Sequence, residues 1–291
     1  MGKTLCKEYI ASILPKRTNN GNKGTFGSLI SVCGSEYMTG AAYFAAMAAL
    51  RSGVGLLTVA APRSALKILQ CKLNEPIFAP LSEKDGKLSI EAASEIELLS
   101  KNKTALIIGC GLGVNDEVQS VVKRVIENTD IPKIIDADAL NLLSKENEPF
   151  KNCKNAVITP HPLEFSRLLK ISVSDIEKNR EAAASEYSRK NGVITVLKGA
   201  YTVIAAPDGK TVTAPFATSA LSKGGSGDVL AGLIAGFAAQ KVDLLEAAEL
   251  GVYLHGLTAE RASERIPQRC FLPSDILAEL AGTVKYLEER E

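Results

Sequence analysis

The chain has 291 residues, 46% of them hydrophobic, and its 34 basic and 33 acidic side chains leave a net charge of +1. That length buries a sizeable core in one large domain or two modest ones. The near-cancelling charge provides no global field for nucleic acid or an anionic membrane, so any anionic ligand has to be held locally.

The opening segment "MGKTLCKEYIASILPKR" carries charges inside its apolar stretch and has no uninterrupted h-region. No later segment approaches the roughly 18 consecutive apolar residues of a membrane span, and we expect a cytoplasmic protein. Cys6, Cys33, Cys71, Cys110, Cys153 and Cys270 are scattered with no C-x-x-C pair, which predicts reduced, mostly structural thiols. With two histidines and no Cys/His cluster, a structural zinc is not expected.

Along the chain, "SLISVCGS" (28–35) reads as a strand and "GAAYFAAMAALRSG" (40–53) as a helix closed by Gly53. The same order recurs in "LLTVA" and "PRSALKILQ", in "TALIIG" and "VNDEVQSVVKRVIEN", and in "KIIDA" and "DALNLLSK". It recurs again in "AVITP" and "PLEFSRLL", and a further strand follows in "VITVLKG". Short β-rich runs alternating with helical patterns predict a mostly parallel sheet covered on both faces, in one continuous α/β domain. The spacing of apolar residues predicts helices over 228–240, 243–264 and 273–288, the last with Ser274 as its cap.

In such a sheet, ligands gather at the carboxyl ends of the strands, and the unusual residues fall there. "GCGLG" (109–113) lacks the spacing of a dinucleotide fingerprint and is followed by Val-Asn-Asp rather than a clean helix start, which disfavours a hydride-transferring enzyme. "DADALN" (136–141) either caps a helix beginning near Ala139 or places Asp136 and Asp138 to orient magnesium through water. In "TPHPLEF" (159–165) two prolines hold His161 on a rigid extended mount, whereas His255, inside a helical pattern, reads as a structural hydrogen-bonder. "KGAYT" (198–202) is either a hairpin turn or a phosphate-contacting strand end through Lys198 and the amides after Gly199.

"KGGSGDVLAG" (223–232) places Gly224, Gly225, Ser226 and Gly227 before the lone carboxylate Asp228 at the start of an apolar helix. Unpaired amides and the positive end of the helix dipole attract phosphate there. An aspartate at that junction is either an N-cap or a base.

Taken in order, "NKGTFGSLISVCGSEYMTGAAYFAAMAALRSGVGLLTVA", "GCGLG", "DADALN", "TPHPLEFSRLL", "KGAYT" and "GGSGDVLAG" resemble the ADP- or ATP-dependent NAD(P)H-hydrate dehydratases, a branch of the ribokinase-like superfamily. The resemblance covers roughly residues 20 to 260, and "NKGTFG" with "TPHPLEF" is its specific part. It implies a three-layer α/β/α fold with a mostly parallel central sheet, and repair of hydrated NADH or NADPH using ADP or ATP with Mg2+. Many relatives carry a preceding epimerase domain, and this chain begins too close to "NKGTFG" to hold one, so a single domain over 1–291 is expected. Relatives commonly assemble as tetramers, which implies a homo-oligomer.

The resemblance further implies that Lys198, Gly199, Ala200, Tyr201, Thr202 and Gly227 lie against the nucleotide. Ala41, Gly111, His161 and Asp228 would contact the hydrated cofactor, with Asp228 as the base that activates its hydroxyl. For Glu164 and Arg167, cofactor-phosphate contact competes with solvation or a local ion pair. Two departures from the family pattern stand out: Cys110 where a proline is common, and Ser222-Lys223 in place of Ala-Thr. A small-alcohol kinase such as a hydroxyethylthiazole kinase is the rival enzyme, and a non-catalytic nucleotide sensor the rival of another class. The extended rim argues against the first and an intact Asp228 against the second.

Overall fold

The computed structural model describes residues 3–289. Strand β1 (Lys3–Thr4) and helix α1 (Lys7–Ile13) lead into β2 (Ser28–Val32), α2 (Thr39–Arg51), β3 (Leu56–Pro62), α3 (Arg63–Leu69) and β4 (Ile77–Leu81). A hairpin of β5 (Glu83–Lys84) and β6 (Lys87–Leu88) stands apart as its own small sheet. Then come α4 (Ala92–Ser100), β7 (Ala105–Ile108), α5 (Asp116–Asn128), β8 (Lys133–Ile135), α6 (Ala137–Leu143), β9 (Ala156–Ile158), α7 (Pro162–Leu169), α8 (Val173–Lys178) and α9 (Arg180–Asn191). The chain continues through β10 (Ile194–Leu197), β11 (Val203–Ala205) and β12 (Thr211–Thr213) to α10 (Ser226–Ala239), α11 (Leu244–Ser263) and α12 (Pro273–Glu288).

Ten strands form one sheet in the order β1-β12-β11-β10-β9-β8-β7-β2-β3-β4. From β10 to β4 every pairing is parallel, while β10-β11 and β11-β12 are antiparallel, so the expected sheet carries a hairpin edge. Alternate residues along a strand face opposite layers. Leu29, Leu57, Val59, Ala105, Ile107 and Val196 face a core shared with α2, α10 and α11. Ile30, Val32, Leu106, Ile108, Ile158 and Leu197 face a second core with α4, α5, α6 and α7. The result is the expected α/β/α sandwich, with both sheet faces covered by helices because the central strands are mostly apolar on both sides.

Two helices show how the sequence specifies these layers. In α5, Val118, Val121, Val122, Val125 and Ile126 recur at three- and four-residue spacing and all are buried. Its N-terminus is capped by Asn115, whose Oδ1 accepts from Val118 N at 2.7 Å. The segment after "GCGLG" is therefore a well-formed helix start, contrary to the expectation from Val-Asn-Asp, because Asn supplies the acceptor that the first turn lacks. The buried helix α10 packs along α2, and a Cβ on Gly232 would lie 2.3 Å from Ala45 O. Close approach of the two backbones accounts for the alanine-rich run of α2, where Ala42, Ala45, Ala46, Ala48 and Ala49 are buried.

The three C-terminal helices fall at Ser226–Ala239, Leu244–Ser263 and Pro273–Glu288, close to the predicted spans. Ser274 is not the cap of α12. Leu272 occupies that position, and Asp275 Oδ2 accepts its N–H at 2.7 Å. Proline at the first helical position puts the cap two residues before Ser274, and the aspartate in the first turn reaches back to bond it.

Candidate active site

The carboxyl ends of β8, β9 and β10 and the N-terminus of α10 enclose a cavity of about 710 Å³. Its far wall comes from the segment between β12 and α10, including Phe216, Thr218 and Leu221, and from Val252, His255 and Gly256 of α11. Of that wall the sequence singled out His255, as a structural hydrogen-bonder, and Ser222-Lys223, but not Phe216, Thr218 or Leu221. Their one local signal is Thr218, whose Oγ1 accepts from Ala220 N and starts a short 3-10 turn.

Gly225 is the N-cap of α10 at φ +98°, and a Cβ there would meet the Phe44 ring at 2.8 Å. Only glycine takes this backbone without strain. The amides of Ser226 and Val229 bond to Lys223 O and Gly225 O. Those of Gly227 and Asp228 lie in the first turn, where the helix itself supplies no acceptor, and so remain for an anion. Gly227 has ordinary helical backbone; a Cβ there would come to 3.3 Å from Lys198 Nζ. Asp228 sits within the first turn of α10, and the structure thereby removes the N-cap alternative. Burial first, then the charge of Asp136, raises its carboxyl from 3.8 to about 6, against the opposing Cys110 thiol and Lys198. A carboxylate so tuned is a competent general base near neutral pH.

A charged cluster lies beside it. Asp136, only 1% exposed, accepts from Thr159 Oγ1 at 2.7 Å and from Lys198 Nζ at 2.9 Å through Oδ1, and meets Cys110 Sγ at 3.6 Å through Oδ2. Burial pulls the Lys198 ammonium down, but Asp136 and Glu164 outweigh it and hold the group above its ordinary value. Glu164 is buried with its Oε2 3.8 Å from Lys198 Nζ, and burial lifts its carboxyl well above the usual range. Asp136 occupies the N-cap position of α6, and its carbonyl accepts from Ala139 N at 3.1 Å, but neither it nor Asp138 caps the helix through its carboxylate. The helix starts at Ala137, Asp136 turns its carboxylate into the cluster, and Asp138 Oδ2 accepts from Gly113 N at 2.8 Å.

His161 is the N-cap of α7. Its Nδ1 accepts from the amides of Leu163 and Glu164 at 3.2 Å each, while Glu164 Oε2 accepts from His161 N at 2.8 Å. This reciprocal box fixes the ring at the cavity wall, and burial, then Lys198, keeps it below the ordinary histidine range. His255 is a hydrogen-bonder as expected, but its Nε2 meets Ser226 Oγ at 3.1 Å directly on the cavity, and burial brings it to about 4.

The predicted site residues divide. His161, Glu164, Lys198, Gly199, Ala200, Thr202, Gly224, Gly225, Ser226, Gly227 and Asp228 line the cavity. Tyr201 is 57% exposed and lies outside its lining. Arg167 is exposed and donates to Asn141 Oδ1, so neither solvation alone nor an ion pair describes it. Glu164 is likewise not a solvated helix-start residue, because the capping box draws it inward. Ala41 and Gly111 pack on each other beside the lining: a Cβ on Gly111 would stand 2.8 Å from Ala41 Cβ. "KGAYT" is the turn of the β10-β11 hairpin, as its first reading had it, and Lys198, Gly199, Ala200 and Thr202 of that turn also line the cavity. Arg180, which sequence reading missed, braces it by donating to Leu197 O and Lys198 O at 3.0 and 2.9 Å.

The oxygen donors suit a hard cation. Cys110, Asp136 and Asp228 bring their ligand atoms within 4.8 Å of one another. Both Asp136 oxygens are already engaged and a thiol is a poor magnesium ligand, which leaves Asp228 as the carboxylate of this group to face such an ion, in the manner of a site that keeps its waters.

The sequence profile of the NAD(P)H-hydrate dehydratases matches residues 29–281. The chain is 37% identical over 287 residues to the bifunctional NAD(P)H-hydrate repair enzyme of Moorella thermoacetica, covering 98% of this chain and 54% of that one. It is 35% identical over 254 residues to the ADP-dependent (S)-NAD(P)H-hydrate dehydratase of Bacillus subtilis, covering 87% of each. The chain thus spans about half the length of the bifunctional relatives it matches. Among solved structures, the ADP/ATP-dependent NAD(P)H-hydrate dehydratase from Bacillus subtilis co-crystallized with ATP/Mg2+ superposes with a TM-score of 0.88 at 31% identity, over 99% of both chains. A ribokinase-like superfamily protein from Enterococcus faecalis gives 0.86 at 26% identity, over 99% of this chain and 97% of that one.

Proposed function

This chain belongs to the NAD(P)H-hydrate dehydratase family, and from that premise we propose that it dehydrates hydrated NADH and NADPH at the expense of ADP or ATP. The observation that carries the proposal is Asp228, a carboxylate raised to about 6 in the first turn of α10, where Gly227 and Asp228 line the cavity and no side chain caps their amides. A base and an anion cradle on one helical turn suit phosphoryl transfer to an alcohol.

In the proposed sequence, Asp228 takes the proton of the substrate's ring hydroxyl as its oxygen bonds to the terminal phosphorus of the nucleotide. The bond from that phosphorus to the bridging oxygen breaks, and AMP or ADP leaves. The amides of Gly227 and Asp228 and the Lys198 ammonium hold the phosphoryl charge. Magnesium, when bound with the nucleotide, neutralises part of that charge. The ring nitrogen then supplies its electron pair, the carbon–oxygen bond breaks, and inorganic phosphate departs. Loss of a proton from the adjacent ring carbon restores the dihydronicotinamide.

Lys198, Gly199, Ala200, Tyr201 and Thr202 with the glycine turn are proposed as the nucleotide side. Ala41, Gly111 and His161 are proposed as the side that takes the hydrated ring. We extend the proposal to a single dehydratase domain working as a cytoplasmic homo-oligomer, a tetramer by analogy with the family. The test is to incubate the protein with hydrated NADH, Mg2+ and either nucleotide. Reduced ring absorbance and inorganic phosphate should appear in equal amounts; a stable phosphorylated product without reduced cofactor would instead establish the small-alcohol kinase.

A further inference from the structure

The β5-β6 hairpin is not part of the α/β/α scheme, and it reaches onto the same rim as Gly111. Its turn is Asp85-Gly86, at φ +51° and +71°, the pair of left-handed residues that closes a tight two-residue hairpin. Three contacts seat it. Leu88 is 1% exposed in the core, Lys84 Nζ pairs with Glu117 Oε1 at 2.9 Å, and Gly86 O accepts from Glu36 N at 2.9 Å. Because Leu88 points inward, its neighbour Lys87 points the other way, over the loop that follows β7.

The stem of Lys87 lies directly on Gly113. A Cβ on that glycine, whose φ is +74°, would come to 2.8 Å from Lys87 Cε and 3.1 Å from Cδ. Gly113 therefore leaves a bare backbone face along which the methylenes are laid, with the ammonium carried past it. The neighbouring charges of the hairpin are committed: Glu83 accepts from Ser64 N and Oγ, and Lys84 pairs with Glu117. Asp138, below the loop, is bonded by Gly113 N, and Glu36 lies against Gly86. Among the described residues, Lys87 alone of the hairpin's lysines ends in no ion pair.

The path from the base to this cation is continuous. The Asp228 carboxylate lies within 4.8 Å of the Cys110 thiol, Gly111 packs on Ala41, and Gly113 carries Lys87. Cys110 to Gly113 spans at most about 10 Å of chain, the scale that separates a nicotinamide ring from the phosphates of its own dinucleotide. We propose that Lys87 binds a phosphate group of the dinucleotide substrate, making the β5-β6 hairpin the outer wall of the substrate side. This rests on the proposed dehydratase reading for the identity of the ligand. Two phosphates have the right chemistry: the diphosphate bridge, common to both cofactors, and the 2′-phosphate, present only on the NADPH form.

The test compares wild type with Lys87→Met, which keeps the stem on Gly113 and removes the charge, and with Lys87→Arg. Initial rates are taken with hydrated NADH and hydrated NADPH, and the stable products NADH and NADPH are titrated by fluorescence. Lys87→Met should raise KM and weaken product binding about tenfold, with kcat and nucleotide KM little changed and recovery in Lys87→Arg. Equal losses for both cofactors assign the diphosphate; a loss confined to the NADPH forms assigns the 2′-phosphate. Unchanged KM and product affinity in a Lys87→Met protein that melts like wild type overturns the proposal, as does a fall in kcat alone. If wild type binds the products through Lys87 yet regenerates no reduced cofactor, the dehydratase reading fails while the phosphate site stands.

Discussion

Asp228→Asn separates the chemistry of the base from what its burial costs the fold. The carboxyl rises from 3.8 to about 6 because the cavity desolvates it and Asp136 repels its charge. A carboxyl that holds its proton more tightly in the folded than in the unfolded state destabilises the native protein once it ionises. The penalty is absent below about pH 4, grows as pH rises toward about 6 and is fully present above that, a window set by those two values. The difference corresponds to about 3 kcal/mol at neutral pH, an upper bound given partial solvent access. An asparagine cannot ionise and does not carry the penalty. For a chain of this size that amounts to a rise in Tm on the order of 5 °C at pH 7.5, shrinking to nothing near pH 4. Turnover should fall by about a hundredfold or more, with nucleotide affinity retained. Melting curves from pH 4 to 8 and the return of reduced-ring absorbance check both halves. A variant no more stable than wild type at neutral pH refutes the electrostatic reasoning; turnover within tenfold of wild type removes Asp228 as the base. In the wild type, kcat/KM should fall as pH drops through about 6, where the base takes up a proton.

Gly225→Ala should cost about 3 kcal/mol in denaturant unfolding, because φ +98° and the Phe44 ring at 2.8 Å both oppose a Cβ. Gly227→Ala should leave stability within about 1 kcal/mol, since its backbone is helical. Its methyl at 3.3 Å from Lys198 Nζ and beside the free amides should weaken calorimetric ADP or ATP binding. Lys198→Met strands Asp136 at 1% exposure without its cation and should lower unfolding stability by about 4 kcal/mol. Unchanged stability there would mean that Asp136 is held by Thr159 and Cys110 alone. His255→Ala should cost about 1–3 kcal/mol by leaving Ser226 Oγ without its buried partner. It should not shift the acid limb near pH 6, because His255 titrates at about 4 and is neutral throughout.

The order of strands and helices was legible in the chain because it rests on local periodicity. The apolar spacing of α5, the continuous apolar runs of β2 and β7, and the switch from "GGSG" to the apolar helix α10 each lie within a dozen or so neighbouring residues. Asp228 was legible for the same reason, since a glycine turn and a carboxylate are adjacent in sequence. The Asp-Gly turn of the β5-β6 hairpin was written there too, and passed unread because neither two-residue strand is long enough to show alternation. What the sequence left open was which neighbour each polar group would find. Asp136 had the form of a helix cap, yet it bonds Lys198 from 62 positions away and Thr159 from 23. Glu164 had the form of a solvated first-turn residue, yet it is buried under that same lysine. Phe216 and His255 reach the cavity only because α11 packs beside the last turn before α10. A buried polar group must take the partner that packing delivers to it. That partner is chosen by the three-dimensional meeting of strand ends, which no local pattern encodes.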